Sequence, residues 1–355
     1  MQSRITACVF SLSHLVVDFA CFFVLMGAFF KDIGDLQLIS LGFLLYNAVA
    51  FVLQAPLGYL LDVISSSKSR VSPAHFAVLG CLLVIIGVIC PVFPWIRLVF
   101  CSLGNALFHI GGGVDSLILA NGRYARSGVF ISFGAIGVAL GTLVGREDLL
   151  SPWIVVLLLG VCLVSILCFC LKTKSPYQTA FNNSSAKIKL GWVVILLCIL
   201  IIITRAAIGA YTPVPWKNES LLFFMLPALA VFTGKFAGGF LADRFGAKTV
   251  VTASLFLSAP LLAFGNSQIV ACCLGLFLFN ICTATTLCVI ASQLPNNPGL
   301  SFGLTTMALF LGSAFSFFWA LPEYFRPVLT LVSVVVSALC MYLTTTAKTA
   351  RPPTP

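Results

Sequence analysis

The sequence predicts an all-α integral membrane protein of twelve transmembrane helices in two pseudo-symmetric halves of six. The 355 residues are 60% hydrophobic and only 8% charged, with a mean hydropathy of +1.10, which is outside the range of water-soluble domains. The apolar residues form runs of about 20, the length of a helix that crosses a bilayer. Short motifs also recur at matching positions of the two halves of the chain.

Helices are favoured over strands because the runs are apolar on every face. The strands of a membrane barrel would alternate apolar and polar residues, and segments such as 79–90 and 192–203 do not. The 14 cysteines lie mostly inside these runs and are expected to be small packing residues. The predicted spans are 5–29, 37–61, 73–93, 95–120, 128–145 and 151–171 in the first half, and 190–213, 220–242, 249–265, 268–293, 300–321 and 326–346 in the second.

One long polar connector, residues 172–189, separates the two sets of spans. It predicts a cytoplasmic linker between an N-terminal six-helix bundle at 1–171 and a C-terminal bundle at 190–346, with a cytoplasmic tail at 347–355.

Basic residues predict the orientation, because Lys and Arg favour the cytoplasmic ends of membrane helices. With the N-terminus inside, thirteen of the 20 basic residues face the cytoplasm and five face outward. We therefore expect a multi-pass protein of the plasma membrane with both termini cytoplasmic. Anionic membrane lipids account for the net charge of +10 without a nucleic-acid partner. The thirteen are Arg4, Lys68, Arg70, Arg123, Arg126, Lys172, Lys174, Lys187, Lys189, Arg244, Lys248, Lys348 and Arg351.

A Gly-x-x-x-Asp step ends the second span of each half, at Gly58 to Asp62 and at Gly239 to Asp243. Residues 107–110 of the fourth span are similarly echoed by residues 278–281 of the tenth. The second copy of the Gly-x-x-x-Asp step continues with a basic and glycine-containing turn, and it resembles the signature loop of the major facilitator superfamily. The residues of that loop are Gly239, Asp243, Arg244, Gly246 and Lys248.

The resemblance implies the major facilitator fold and an inner gate, in which the aspartate accepts hydrogen bonds at the N-terminus of a helix of the opposite half. The first copy differs after Asp62, where Val63 and a serine-rich stretch replace the basic turn. Its gating role is therefore a weaker expectation, and a simple cytoplasmic turn is the alternative for both copies.

Three further segments resemble the fosmidomycin-resistance-like exporters. They are residues 14–18 of the first span, residues 104–109 of the fourth, and Thr204 with Arg205 ahead of Pro213 in the seventh. The sequence differs from these exporters after His109, where Ile110 and Gly111 replace a proline and an acid. The resemblance implies an exporter.

Ionisable residues within the spans are the candidates for chemistry, since each costs about 2.5–3.5 kcal/mol at the centre of a bilayer. Asp18 is the only carboxylate near the middle of a predicted span, and His14 lies one helical turn before it on the same face. We predict that Asp18 and His14 couple transport to protons. The alternative is a polar pair that only clamps the first span to its neighbours.

The resemblance places the first, fourth, seventh and tenth spans around a central cavity. There Arg205 could pair with Asp18, bind an anionic substrate, or form a permanent salt bridge. Lys235 and Asp115 are expected to extend toward the inner interface. The other residues predicted to line the cavity are His109, Asn105, Asn280 and Thr283.

These features predict a gradient-driven, proton-coupled secondary transporter of a small organic solute, working as a monomer among membrane lipids. Export and import are both compatible with such a scaffold. We expect no cofactor, no metal site and no enzymatic activity, because the sequence has no Walker motif, His-Glu-x-x-His helix or Gly-x-Ser-x-Gly elbow. A lipid scramblase or a membrane-embedded enzyme is the alternative.

The predicted orientation can be tested with reporter fusions after Lys174 and after Lys348. Both reporters should be cytoplasmic, because the charge distribution places the linker and the C-terminus on the same side. Reporters on opposite sides would show that the number of spans between them is odd.

Overall fold

The computed structural model describes residues 2–66, 71–90, 93–171, 177–181 and 190–345. These residues form twelve long helices, in agreement with the sequence, and eleven of them are long and apolar enough to cross a membrane. The third helix is apolar but has only 17 residues. The helices are α1 (Ser3–Ile33), α2 (Leu36–Ser65), α3 (Pro73–Ile89), α4 (Pro94–Ile118), α5 (Tyr124–Glu147), α6 (Pro152–Phe169), α7 (Gly191–Tyr211), α8 (Leu221–Phe245), α9 (Ala247–Phe264), α10 (Ile269–Gln293), α11 (Pro298–Phe318) and α12 (Glu323–Thr344).

Several helices extend beyond the predicted spans, because a helix can continue past the apolar run that a sequence reveals. The helix α5 begins at Tyr124 rather than at residue 128, and α1 continues to Ile33 rather than to residue 29. Both α1 and α2 contain a five-residue π-helical turn, at Leu25–Phe29 and at Ala48–Val52. The helix α10 is interrupted by a turn at Ile281 and Cys282.

The helices pack as two bundles. In the N-terminal bundle α1 packs on α5 and α3 packs on α4, while in the C-terminal bundle α9 packs on α12 and α8 packs on α10. The largest buried apolar cluster is mainly N-terminal, and two further clusters lie within the C-terminal bundle. The bundles meet mainly along two helix pairs, α5 with α8 and α2 with α11. These pairs occupy equivalent positions in the two halves, as a duplicated fold requires.

Gly58 of α2 and Gly299 of α11 allow the two bundles to come into backbone contact. A Cβ atom on Gly58 would lie 2.2 Å from the carbonyl oxygen of Gly299, and a Cβ on Gly299 would lie 2.2 Å from that of Gly58. No side chain fits at that distance. Close helix contact in membranes commonly depends on such small residues.

We expect Gly58→Ala to lower the melting temperature of the detergent-purified protein, because overpacking a close contact costs about 1–3 kcal/mol. Gly160 of α6 is the matched control, since no atom lies within 4 Å of a Cβ at that position. Gly160→Ala should be neutral or slightly stabilising, because alanine is a better helix former. Equal melting temperatures for the two variants would contradict the close α2–α11 contact.

Candidate functional site

A cavity of about 670 Å³ lies between the two bundles. His14, Asp18 and His109 line it from the N-terminal bundle, and Lys235 and Thr283 line it from the C-terminal bundle. The cavity reaches Asn218, which is exposed in the connection between α7 and α8. Phenylalanine and aliphatic side chains form most of the remaining wall.

Asp18 is held at the cavity wall by polar groups of α1 and α4. Its Oδ2 lies 3.2 Å from Nε2 of His14, and its Oδ1 accepts a hydrogen bond of 2.8 Å from Nδ2 of Asn105. Nε2 of His109 lies 3.7 Å from Oδ1. The side chains of Asp18, His14 and His109 are 10%, 5% and 8% exposed. The sequence predicted the His14–Asp18 proximity from helical spacing, and the structure places these two residues together with His109 and Asn105.

The hydrogen bond made by Nδ1 of each histidine indicates which ring nitrogen carries the proton. Nδ1 of His14 is 2.7 Å from the carbonyl oxygen of Phe130, and Nδ1 of His109 is 2.9 Å from that of Asn105. A carbonyl oxygen can only accept, so both Nδ1 atoms donate. In a neutral His14 the Nε2 atom would then present a lone pair to Asp18. One proton between His14 and Asp18 would remove that repulsion.

The helix α5 closes the back of this cluster. The His14 ring stacks on the Phe130 ring with centroids 4.6 Å apart. A Cβ atom on Gly134 would lie 2.5 Å from both Asp18 Oδ2 and His14 Nε2. The missing side chain at Gly134 therefore allows α5 to pack against His14 and Asp18.

His14, Asp18 and His109 also offer three possible ligand atoms within 4.8 Å of one another. They form the one such group found among the described residues. A closed tetrahedral zinc site takes four protein ligands, and Oδ1 of Asp18 already accepts a hydrogen bond from Asn105. The contacts present at these three residues are hydrogen bonds and ion-pair distances within the protein.

Arg205 does not pair with Asp18, one of the arrangements expected from the sequence. Its guanidinium donates to the carbonyl oxygen of Phe279 at 2.6 Å and to Oγ1 of Thr283 at 3.4 Å. It also lies over the Phe279 ring, 4.6 Å from the centroid. The expected permanent salt bridge is absent too, since no described carboxylate lies within 4 Å of Arg205. The helix α7 turns Arg205 toward α10 rather than toward α1.

Lys235 lines the cavity, whereas the sequence led us to expect it at the inner interface. It lies on α8, and Asp18 and Arg205 are its charged neighbours. Lys235 makes no ion pair or hydrogen bond within the described part of the chain. Lys235 lies near the middle of α8, ten residues before the end of the helix at Phe245.

Asp115 also differs from expectation, because it is bound rather than extended toward water. Its Oδ2 accepts a hydrogen bond of 2.9 Å from Arg126, and both side chains are nearly buried. Arg126 also donates to the carbonyl oxygen and the hydroxyl of Ser3. The pair joins the end of α4 to the start of α5 and to the N-terminal residues.

Of the remaining residues predicted to line the cavity, Thr283 does so. Asn105 lies behind Asp18 as its hydrogen-bond donor. Asn280 donates to the carbonyl oxygen of Leu276 within its own helix and is not part of the cavity wall.

Two aspartates join the bundles at the end of the molecule opposite Asn218. Asp243 accepts hydrogen bonds from the backbone N–H groups of Tyr124 and Ala125, at 2.8 and 3.0 Å. Asp62 accepts from those of Gly299 and Leu300, both at 2.8 Å. The first turn of a helix has unpaired N–H groups and a positive dipole end. The weaker motif copy at Asp62 therefore makes the same kind of contact as the stronger copy at Asp243.

The other motif residues shape the turn after α8. A Cβ on Gly239 would lie 2.7 Å from Cα of Ala125, so this glycine lets α8 approach the start of α5. Gly246 has a φ of 90°, which favours glycine. Arg244 lies over the Phe245 ring, and the ammonium of Lys248 lies 3.7 Å from the centroid of Tyr342.

The described part of the predicted linker, residues 177–181, lies across both aspartate contacts. The hydroxyl of Tyr177 donates to Oδ1 of Asp62 at 2.8 Å, and Phe181 packs on Tyr124 with ring centroids 5.8 Å apart. Thr179 bonds the carbonyl oxygens of Pro295 and Ala291. Burial, together with the Asp62 carboxylate, raises the pKa of Tyr177, which keeps its hydroxyl protonated as a donor.

The fold has known counterparts among solved structures. A crystal structure of a variant of the E. coli fucose:proton symporter FucP has a TM-score of 0.62 and 16% sequence identity to this chain, covering 97% of this chain and 98% of that one. A structure titled as a major facilitator superfamily transporter, FucP, in the outward conformation has the same TM-score and identity, covering 96% of each chain. The chain therefore has the major facilitator fold. No protein-family model and no curated protein matches the sequence.

We expect Asp243→Asn to open the end of the molecule where the two aspartates lie, because an uncharged amide loses about 0.3–1 kcal/mol of dipole stabilisation, and more when partly buried. Cys288 is a natural reporter, since it is buried and is an electrostatic neighbour of Asp243. Its labelling by a maleimide should become faster in Asp243→Asn, with the exposed Cys8 and Cys168 replaced by serine. Asp148→Asn, at an exposed surface pair with Lys31, is the control. Unchanged labelling in Asp243→Asn would show that Asp243 does not hold this end closed.

Proposed function

We propose that this protein is a proton-coupled secondary transporter that moves a small organic solute by alternating access. The observation that carries the proposal is the position of Asp18, between His14 and Asn105, at the wall of a cavity shared by both bundles. A carrier needs a group that gains and loses a proton next to its substrate. Asp18 and His14 share such a proton, with His109 as their neighbour.

The contacts between the bundles support an alternating mechanism. In this conformation Asp62 and Asp243 bind helix N-termini of the opposite bundle at one end, while the cavity reaches Asn218 at the other. With both termini cytoplasmic, this is an outward-facing state. Rocking of one bundle against the other would break the aspartate contacts and expose the cavity to the cytoplasm.

The likeness to FucP, titled a fucose:proton symporter, supports proton coupling in this fold. The segments that resemble the fosmidomycin-resistance-like exporters support export as the direction. A cavity closed at one end by both bundles also suits a carrier better than a lipid scramblase or a membrane enzyme, the alternatives that the sequence left.

We expect Asp18→Asn to abolish substrate accumulation driven by a pH gradient in proteoliposomes. Asparagine keeps the size of the side chain but removes the exchangeable proton. Substrate counterflow, which needs no net proton movement, should persist, and this shows that the variant is folded. Imposing the gradient in either direction reports whether proton and solute move together or in opposite directions.

Asp115→Asn is the matched control, because Asp115 is another nearly buried carboxylate of this bundle but pairs with Arg126 away from the cavity. The folded Asp115→Asn variant should still accumulate substrate in response to a pH gradient. Chelator-treated and untreated vesicles should behave alike, since the proposal needs no metal. Accumulation by Asp18→Asn in response to a pH step would rule out Asp18 as the proton-carrying group.

A further inference from the structure

The C-terminal bundle carries two positive charges at the depth of the cavity and no carboxylate to balance them. Arg205 on α7 is buried, and Lys235 on α8 lines the cavity. The acids described in this bundle are Glu219, Asp243 and Glu323, which lie near helix ends. Asp243 already binds the start of α5, and Glu323 lies 3.8 Å from Arg326.

The two cations differ in what satisfies them. Arg205 has a carbonyl acceptor and an aromatic face on Phe279. The ammonium group of Lys235 makes neither a hydrogen bond nor an ion pair with any residue that the structure describes. Its nearest acid, Asp18, is already bound by His14 and Asn105. An unpaired ammonium inside a membrane protein is costly. A negatively charged ligand in the cavity would supply the missing partner.

The neutral hydroxyl groups at the cavity wall carry no positive charge, and three of them are already engaged. The hydroxyl of Thr283 donates to the carbonyl oxygen of Asn280 and accepts from Arg205. The hydroxyls of Thr305 and Thr212 donate to carbonyl oxygens of their own helices. Their hydrogens are therefore used. Lys235 is the cationic side chain that lines the cavity at this depth, whereas Arg205 is not part of the cavity wall.

The outer end of the cavity also carries a basic side chain. Lys217 lines it and lies over the ring of Phe224 at 4.8 Å. Burial lowers the pKa of Lys217, and the neighbouring Arg146 lowers it further. Arg146 itself lies 5.6 Å from the centroid of the same ring. Arg146 pairs with Glu147 at 2.8 Å, so Lys217 is the cation that an anion entering from this end meets before it reaches Lys235.

Apolar side chains form the rest of the wall, among them Phe51, Ile131, Leu276, Leu287 and Phe302. They match a ligand with a hydrophobic body. Asp18 already has His14 and Asn105 as partners. We infer that the substrate is an organic acid with one anionic head group, which binds Lys235, and an apolar body, which fills the remaining cavity. This inference rests on the proposed transport function.

The test compares three compounds that share one body and differ in the head group: 4-phenylbutyrate, its neutral amide 4-phenylbutanamide, and the cation 4-phenylbutylamine. Equilibrium binding to the full-length protein in nanodiscs is measured by calorimetry. The carboxylate should bind at least about tenfold more tightly than the amide, because a hydrogen bond to a charged group contributes about 1.5–3 kcal/mol. The amine should bind most weakly.

Lys235→Gln and the more lipophilic Lys235→Met should remove the preference for the carboxylate, while Lys235→Arg should retain it. Lys31→Gln is the control, since Lys31 lies at an exposed pair with Asp148 outside the cavity. The wild-type comparison of head groups needs no variant and stands even if the variants are unstable.

Equal or tighter binding of the amide or the amine would overturn the inference. So would a carboxylate preference that survives in folded Lys235→Gln, or the absence of carboxylate binding at about 10 mM, a concentration that detects even millimolar affinity. Binding at equilibrium needs no proton gradient, so this result is separate from the Asp18→Asn assay. Lys235-dependent binding together with full accumulation by Asp18→Asn would contradict the proton assignment alone.

Discussion

The contacts at the centre of this molecule depend on the free-energy cost of placing an ionisable group in the middle of a bilayer. Asp18 lies near the middle of α1, where a charge would cost about 2.5–3.5 kcal/mol without partners. His14 and Asn105 supply those partners, from α1 itself and from α4. The approach of α5 to the pair then depends on the missing side chain at Gly134. Three helices of the N-terminal bundle, α1, α4 and α5, thus meet around a single carboxylate.

The two aspartates that join the bundles, Asp62 and Asp243, are stabilised differently from Asp18. Asp62 and Asp243 have no histidine beside them, and each instead accepts two backbone hydrogen bonds from the first turn of a helix in the opposite bundle. The positive end of the helix dipole then acts as the counter-charge. Such contacts need only backbone groups of the partner helix. The same contact therefore forms at both copies of the Gly-x-x-x-Asp motif, although the flanking sequences differ.

The sequence predicts the features of this protein that depend on spacing along one helix. Apolar run length predicts the twelve helices, and a four-residue interval places His14 beside Asp18. The positions of Arg205 and Lys235 depend instead on how each helix is rotated within its bundle. A helix that is apolar all round carries no stripe to reveal that rotation, so the sequence could not show that Arg205 faces Phe279 or that Lys235 faces the cavity.

The strength of the aspartate contacts fits a conformational cycle. Two carboxylates at helix N-termini, each contributing roughly 0.3–1 kcal/mol, would together stabilise this state by about 0.6–2 kcal/mol. Shifting a two-state equilibrium from 1:99 to 99:1 takes about 5.5 kcal/mol. The contacts therefore bias the conformation without locking it. Residues 177–181 touch both contacts, which ties their opening to one event. Both aspartate contacts join the same two bundles, so a separation of the bundles at this end would have to break both of them.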